Sequence, residues 1–287
     1  MDSILTQLRS YLPDSQPIAE MATNASKIPL HPYYPLELEI VGYMANKWDT
    51  LTLVSMFGAG CVGIFAVTYL ITTRIRPQMS KADLSTIMWF VLCGCIHLFF
   101  EGYFSYNFRR MSSMQDLFGQ LWKEYSLSDS RYQTQNAFVL CMETITAVCW
   151  GPLSFAVAGM IATDHSLRHP LQALVSLGQI YGDVLYYATS MFDHYILDMS
   201  YSRPEPFYFW GYFVLMNAFW IIIPGKLLYD SISESGKAFA ALEKQERIFK
   251  ANGTGNGKLI GTLNGTPNGT PKGKSNGKAK NGSIRKR

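Results

Sequence analysis

Four ionisable side chains lie inside long apolar stretches of this 287-residue chain: His97, Glu101, Glu143 and Asp183. A charged side chain at the centre of a membrane-spanning helix costs roughly 2.5–3.5 kcal/mol on insertion scales. Such groups therefore need a partner, a proton or water, and they mark function unless packing explains them. One imidazole and three carboxyl groups are the residue types that move protons.

The spacing of these residues places them on shared helix faces. His97 and Glu101 are four positions apart, so they are neighbours on one face of a helix. A carboxylate in that position can orient the imidazole and support its protonated form, which gives a proton donor. Glu143 and Thr146 are three positions apart and share a second face, on which the hydroxyl can hydrogen-bond the carboxyl group or a ligand.

Two further segments carry polar stripes. Asn217 and Trp220 are three apart, which sets an amide beside a large π face, and Gln179 and Asp183 are four apart. Polar pairs often hold membrane helices together by hydrogen bonds alone. We favour that structural interpretation for the stripe of Gln179 and Asp183, and a functional one for the histidine and the two glutamates.

Acids and a base in apolar surroundings suit proton transfer on an apolar substrate. An alkene that is protonated and then deprotonated passes through a carbocation, which carboxylates and an aromatic face stabilise by charge and cation–π attraction. Neither an HExxH motif nor a CxxC pair is present, so no metal is expected, and no Walker loop indicates a nucleotide. The residues alone leave two functions open, a membrane isomerase and a lipid-binding protein.

The apolar stretches predict an all-α integral membrane protein, a five-transmembrane-helix bundle. A helix needs roughly 20 apolar residues to cross a bilayer, and five segments reach that length. These segments are Leu51–Thr72, Leu84–Phe108, Ala137–Ala162, Leu171–Met191 and Phe207–Tyr229.

The basic charge of the chain belongs to its C-terminal end. Of the 25 Lys and Arg residues, eight lie in residues 251–287, which contain no Asp or Glu, so residues 1–250 carry 17 basic and 21 acidic groups. The positive net charge therefore does not indicate a nucleic-acid surface. Residues 236–287 form a basic tail rich in Gly and Asn, and we expect it to be disordered after about residue 250. The predicted domains are 1–47, an N-terminal segment, 48–235, the helical bundle, and 236–287, the tail.

Basic residues in short flanks predict the orientation of the bundle. Arg74, Arg76 and Lys81 follow the first apolar segment, and the C-terminal flank is also basic. Five spans then place the N-terminus in the lumen and the C-terminus in the cytosol. The loop after the second segment argues against this orientation, because it carries several basic residues together with acidic ones.

Several motifs, in order and with compatible spacing, resemble the emopamil-binding family of sterol Δ8–Δ7 isomerases. The resemblance covers roughly residues 31–230 and is carried by His31–Pro35, Cys95–Tyr103, Leu121–Tyr132, Cys141–Leu153, Gly178–Tyr186 and Tyr208–Trp220.

The resemblance implies a five-helix bundle of the endoplasmic reticulum membrane, a homodimer that moves a sterol double bond without a cofactor. It implies that cationic amphiphilic amines bind the same site as inhibitors, beside sterol substrate and membrane lipids. Catalytic roles are implied for His97, Glu101 and Glu143. We expect substrate-binding or cation-stabilising roles for Thr146, Asn217, Trp220, Tyr125, Asp129, Arg131, Tyr132 and Asp183.

These roles combine into a mechanistic hypothesis. Protonated His97, held by Glu101, delivers a proton to C9 of the Δ8 alkene, and Glu143 and the face of Trp220 stabilise the cation left at C8. A carboxylate, Glu143 or Glu101, then removes a proton from C7. The alternative is a membrane protein of the same fold that binds sterols or cationic amphiphiles without turnover. Because the whole polar set is present, we favour the enzyme.

Overall fold

The structure is a computed structural model that describes residues 31–251, and no β-strand occurs within that range. The helices are α1 (Thr50–Ile75), α2 (Lys81–Ser113), α3 (Leu117–Tyr125), α4 (Ala137–Ala162), α5 (Arg168–Ile196) and α6, a π-helical segment Phe207–Met216 continued by the α-helix Asn217–Ala251. Two of these helices contain π-helical turns, Ile96–Glu101 in α2 and Thr146–Trp150 in α4. The predicted all-α class is confirmed.

Within residues 31–251, four helices are long and apolar enough to cross a membrane: α1, α2, α4 and α6. They indicate a membrane protein, and this range has one candidate span fewer than the five predicted. The fourth predicted segment, Leu171–Met191, lies in α5, which has 29 residues but carries buried polar side chains such as Gln172, Gln179 and Asp183. Those side chains lower its hydropathy, because one face of the helix is built of polar groups.

Short polar side chains begin several of the helices. Asp49 caps α1 by accepting a hydrogen bond from the backbone N–H of Thr52 at 2.9 Å. The hydroxyl of Ser80 caps α2 by accepting one from the backbone N–H of Asp83. Asn136 caps α4. A capping oxygen satisfies one of the backbone N–H groups that have no partner in the first turn. The sequence thus marks where the apolar helices start.

Helices α2 and α4 approach each other closely. The ring of Phe155 occupies the space beside Gly94, 2.8 Å from where a Cβ atom would lie, and Leu98 lies 2.9 Å from the corresponding position of Gly151. In a bilayer no hydrophobic effect drives helices together, so they associate through close van der Waals packing, which small residues allow. By contrast, α1 leaves apolar side chains exposed, for example 66% of Val62, which suits a surface in lipid.

The segment before α1 packs against the connection between α2 and α4. Tyr33 is buried and donates its hydroxyl to the backbone oxygen of Lys123 at 3.0 Å. The Nζ of Lys123 donates to the carbonyl of Met44 at 2.7 Å, and the side chain of Gln120 accepts the backbone N–H of Lys47 at 2.7 Å. This connection is therefore ordered by polar contacts, and it forms one end of the functional site.

The C-terminal part of α6 belongs to a second compact unit, which begins at Ala238. Its described residues are exposed, and ion pairs such as Arg247 with Glu243 and Lys250 with Glu246 connect successive turns. The disordered tail predicted after about residue 250 lies outside the described residues, as does most of the predicted N-terminal segment 1–47.

Candidate active site

A cavity of about 150 Å³ lies among helices α2, α3, α4, α5 and α6. The structure brings nine of the eleven predicted site residues to its wall: His97, Glu101, Tyr125, Tyr132, Glu143, Thr146, Asp183, Asn217 and Trp220. The other two, Asp129 and Arg131, do not line it. Residues separated by more than 120 positions in the sequence thus surround one space.

His97 and Glu101 form a direct pair on α2. The Nδ1 of His97 lies 2.9 Å from both carboxylate oxygens of Glu101, as the spacing of four predicted. His97 is buried, with 2% of its side chain exposed, whereas Glu101 exposes 13%. A carboxylate that accepts from Nδ1 fixes the proton of a neutral imidazole on that nitrogen. The other ring nitrogen, Nε2, lies 3.0 Å from the amide nitrogen of Gln179 on α5.

The two π-helical turns pack against each other beside the site. One contains His97 and Glu101, and the other, Thr146–Trp150, begins three residues after Glu143. A π-helical turn adds a residue to the helix, shifts the side chains that follow and is frequent at functional sites. The close contact of Gly151 with Leu98 permits the two irregular turns to meet.

Glu143 is buried and accepts a hydrogen bond from the hydroxyl of Tyr132 at 2.6 Å. Tyr132 lies in the 3₁₀ turn Ser130–Tyr132 that precedes α4, so the connection reaches into the site. Thr146 lines the cavity, but its hydroxyl donates to the carbonyl of Met142 at 2.8 Å rather than to Glu143. The two share a face as predicted, whereas a hydroxyl–carboxyl bond between them is not formed.

Asn217 and Trp220 of α6 form the opposite wall. The amide of Asn217 donates to the hydroxyl of Tyr125 at 2.9 Å and to the backbone of Phe213 at 2.7 Å. The ring of Trp220 is 6.2 Å from that of His97 and inclined to it by 61°. An indole ring therefore lies beside the imidazole, and a cation that reaches its face can be stabilised by cation–π attraction.

Asp129 and Arg131 form a buried ion pair that does not line the cavity. The guanidinium of Arg131 donates to both oxygens of Asp129 at 2.7–3.0 Å, and neither side chain exposes more than 1% of its surface. Arg131 also donates to Thr189 of α5 at 2.9 Å and lies over the ring of Tyr186 at 5.0 Å. This buried ion pair fixes the connection to α5, and Tyr132 is the next residue along the chain. The substrate-binding or cation-stabilising role expected for Asp129 and Arg131 stays a prediction, and neither side chain lines the cavity.

Asp183 lies one turn after Gln179 on α5 and lines the cavity. It is buried, and its Oδ2 has no hydrogen-bond partner within the described residues. A buried carboxyl group without a partner is costly unless a ligand or a proton satisfies it. The structure therefore places Asp183 in the wall of the cavity. Spacing alone favours hydrogen bonding between helices as the role of Gln179 and Asp183.

Sequence reasoning missed several residues of the wall. Gln179 contacts His97 directly, and the remaining missed residues are aromatic, apolar or glycine: Phe57, Ile96, Phe100, Trp122, Met142, Trp150, Gly178, Gly182, Tyr186 and Met216. Trp150 fits beside Gly178, where its ring lies 2.4 Å from the position of a Cβ atom. The spacing of Gln179 and Asp183 was the available signal, but it does not reveal a partner on another helix.

The arrangement combines an imidazole–carboxylate pair, further carboxyl groups and an indole within largely aromatic walls. Such a site can move protons on an apolar molecule and stabilise a cation that forms there. These features define a membrane protein with a buried polar site in largely apolar walls.

The chain belongs to the EXPERA family, the expanded EBP superfamily, whose model matches residues 117–231. The resemblance to the emopamil-binding family is thereby confirmed. The 3-beta-hydroxysteroid-Delta(8),Delta(7)-isomerase of Rattus norvegicus is 39% identical over 227 residues, which cover 78% of this chain and 96% of the relative. The enzyme of the same name from Mus musculus is 40% identical, with 78% and 96% covered, and that from Cavia porcellus is 37% identical, with 81% and 100% covered.

Proposed function

We propose that this protein is a 3β-hydroxysterol Δ8–Δ7 isomerase of sterol biosynthesis. The observation that carries the proposal is the pair of His97 and Glu101, which shares one apolar cavity with Glu143. Relatives that match most of the chain bear the name of this activity. Chemistry and family agree, because a double-bond shift needs an acid, a base and cation stabilisation.

The reaction is a protonation followed by a deprotonation. His97, held by Glu101, supplies a proton to C9, and the electron pair of the C8=C9 bond forms the new C9–H bond. The cation at C8 is stabilised by Glu143 and by the indole of Trp220. A carboxylate, Glu143 or Glu101, takes the proton from C7, and the C7–H electron pair becomes the C7=C8 bond. The substrate is neither oxidised nor reduced, so the reaction consumes no cofactor.

The remaining residues hold these groups in place. Tyr132 orients Glu143 through its 2.6 Å hydrogen bond, and the buried pair of Asp129 and Arg131 holds Tyr132. Asn217 and Thr146 shape the wall that receives the rings of the sterol. Asp183 binds substrate or stabilises positive charge at the same wall.

The proposal includes the setting of the site. The protein spans the endoplasmic reticulum membrane five times, with α5 as the span whose polar face lines the cavity, the N-terminus in the lumen and the C-terminus in the cytosol. The four apolar helices support this topology, and the length of α5 permits a fifth crossing. Membership of the family supports a homodimer whose cavity also takes cationic amphiphilic amines as inhibitors.

The test uses membranes from cells that lack an endogenous Δ8–Δ7 isomerase. The variants His97→Ala and Glu143→Gln abolish conversion of a Δ8-sterol, whereas wild-type protein forms the Δ7 product. Glu124→Gln is the matched control. Glu124 is also buried and accepts a hydrogen bond from the hydroxyl of Tyr212 at 3.1 Å, but it lies outside the cavity wall. Wild-type turnover in both site variants refutes the assignment of the site.

The same experiment decides between the enzyme and a protein that binds without turnover. A binding protein retains labelled sterol in its cavity, and wild-type membranes then form no Δ7 product. Sterol binding that is lost in Glu143→Gln, with no conversion by wild-type protein, establishes the alternative.

A further inference from the structure

Both nitrogens of the His97 ring have a partner. Nδ1 lies 2.9 Å from the two oxygens of Glu101, and Nε2 lies 3.0 Å from the side-chain nitrogen of Gln179. An ionised carboxylate only accepts hydrogen bonds, so it fixes the ring proton on Nδ1. Nε2 is then the basic nitrogen, and the amide N–H of Gln179 donates to it. The nitrogen that exchanges its proton in catalysis is thus the one in contact with Gln179.

The carboxamide of Gln179 can serve both protonation states of the ring. Its amide nitrogen donates to Nε2 of a neutral imidazole, and its oxygen can accept from Nε2–H of an imidazolium after a half-turn of the amide. Oε1 of Gln179 is buried and has no hydrogen-bond partner in the part of the chain that the structure describes. That oxygen can therefore take the second role without movement of the backbone, although the carboxamide also contacts the buried thiol of Cys93.

The ring of His97 has two hydrogen-bond partners among the described residues, Glu101 and Gln179, and of these only the neutral carboxamide of Gln179 can both donate and accept. Glu101 from α2 and Glu143 from α4 are acceptors when ionised, and the indole of Trp220 from α6 can only donate. Gln179 comes from α5 and exposes 5% of its surface. A function in proton transfer also explains why α5 carries amide and carboxyl groups and is less apolar than the other long helices.

We propose that Gln179 is a positioning residue for the proton transfer: its carboxamide holds Nε2 of His97 while that nitrogen is proton-free and while it is protonated, and the amide turns away when the proton passes to C9. This inference rests on the proposed isomerase function. Without Gln179 the imidazolium has a buried N–H with no partner, and a hydrogen bond to a charged group of this kind changes a rate about tenfold to a hundredfold when it is lost.

The test compares substitutions of Gln179 with a substitution of Gln172, a second glutamine on the same helix. Gln179→Leu lowers kcat of Δ8-sterol conversion about 10- to 100-fold and leaves KM within about threefold. Gln172→Leu is the control, because Gln172 is equally buried on α5 but donates to the carbonyl of Leu227 and lies outside the cavity wall. It keeps kcat within twofold. Gln179→Asn keeps the polarity but is one carbon shorter, so it loses the contact and shows the same fall in kcat even if Gln179→Leu does not fold.

A spectroscopic measurement separates positioning from a general effect on structure. In protein labelled with ¹⁵N-histidine, the His97 signals are identified by their loss in His97→Ala. Gln179→Leu and Gln179→Asn shift the Nε2 signal and leave Nδ1 protonated, and Gln172→Leu shifts neither. Unchanged His97 signals, or a kcat in Gln179→Asn equal to that of Gln172→Leu, overturn the proposal. If wild-type protein forms no Δ7 product, the function fails, and the ¹⁵N signals still decide whether Gln179 holds Nε2.

Discussion

The hydrogen bond from Tyr132 to Glu143 can be tested by a substitution that removes a single oxygen atom from the site. Tyr132→Phe removes the hydroxyl that lies 2.6 Å from Oε1 of Glu143 and keeps the ring, which is buried in the aromatic cluster of Phe104, Trp122 and Tyr186. The carboxyl group of Glu143, which exposes only 5% of its surface, then loses a donor that water cannot easily replace.

The magnitude follows from the type of bond. A hydrogen bond to a charged group contributes about 1.5–3 kcal/mol. Because about 1.4 kcal/mol corresponds to a factor of ten in rate, Tyr132→Phe lowers kcat about 10- to 150-fold if Glu143 acts in the ionised state. The expected change in KM is small, since the bond orients a group that stabilises the cation rather than the bound alkene.

The assay measures formation of Δ7-sterol by protein purified in detergent. Tyr103→Phe is the control, because it removes a hydrogen bond of the same chemistry, from Tyr103 to Asp116 at 2.5 Å, away from the cavity wall. That variant keeps kcat within twofold. A kcat of Tyr132→Phe within twofold of wild type, or an equal loss in both variants, refutes the role given to Glu143.

Two further predictions concern packing and charge. Gly178→Ala places a Cβ atom 2.4 Å from the ring of Trp150, so the ring must shift into the cavity and kcat/KM falls about tenfold or more, whereas Gly159→Ala, with open space around it, leaves kcat/KM unchanged; an equal effect of both refutes the fit. Burial lowers the pKa of Lys123 to about 8, and its ordinary value is 10.5. The unfolded chain therefore binds this proton more tightly between about pH 8 and pH 10.5, and stability rises with pH through that window. Thermal unfolding in detergent measures this rise, which Lys123→Met removes; a slope that persists in the variant contradicts the assignment.

The parts of the site that lie within one helix could be predicted from the sequence. The spacing of His97 and Glu101 fixes their contact, because residues four apart face each other on a helix. The shared face of Glu143 and Thr146 was predicted for the same reason, and both line the cavity. The hydroxyl of Thr146 nevertheless bonds to the backbone of its own helix, a partner that is always within reach of threonine.

Contacts between helices could not be predicted, because they depend on packing. Tyr132 reaches Glu143 only because the buried pair of Asp129 and Arg131 holds the connection on α5. Gln179 reaches His97 from a helix 82 residues further along the chain. The predicted and observed numbers of apolar spans differ for a related reason, since the polar groups that line the cavity also lower the hydropathy of α5.

The most direct test of the proton-transfer mechanism is the conversion of a Δ8-sterol in D₂O by purified protein without any added cofactor. The mechanism predicts a Δ7 product with one deuterium at C9, visible by mass spectrometry and NMR, and no product from His97→Ala or Glu143→Gln. A Δ7 product that carries no deuterium at C9, or bound sterol that wild-type protein leaves unchanged, contradicts it.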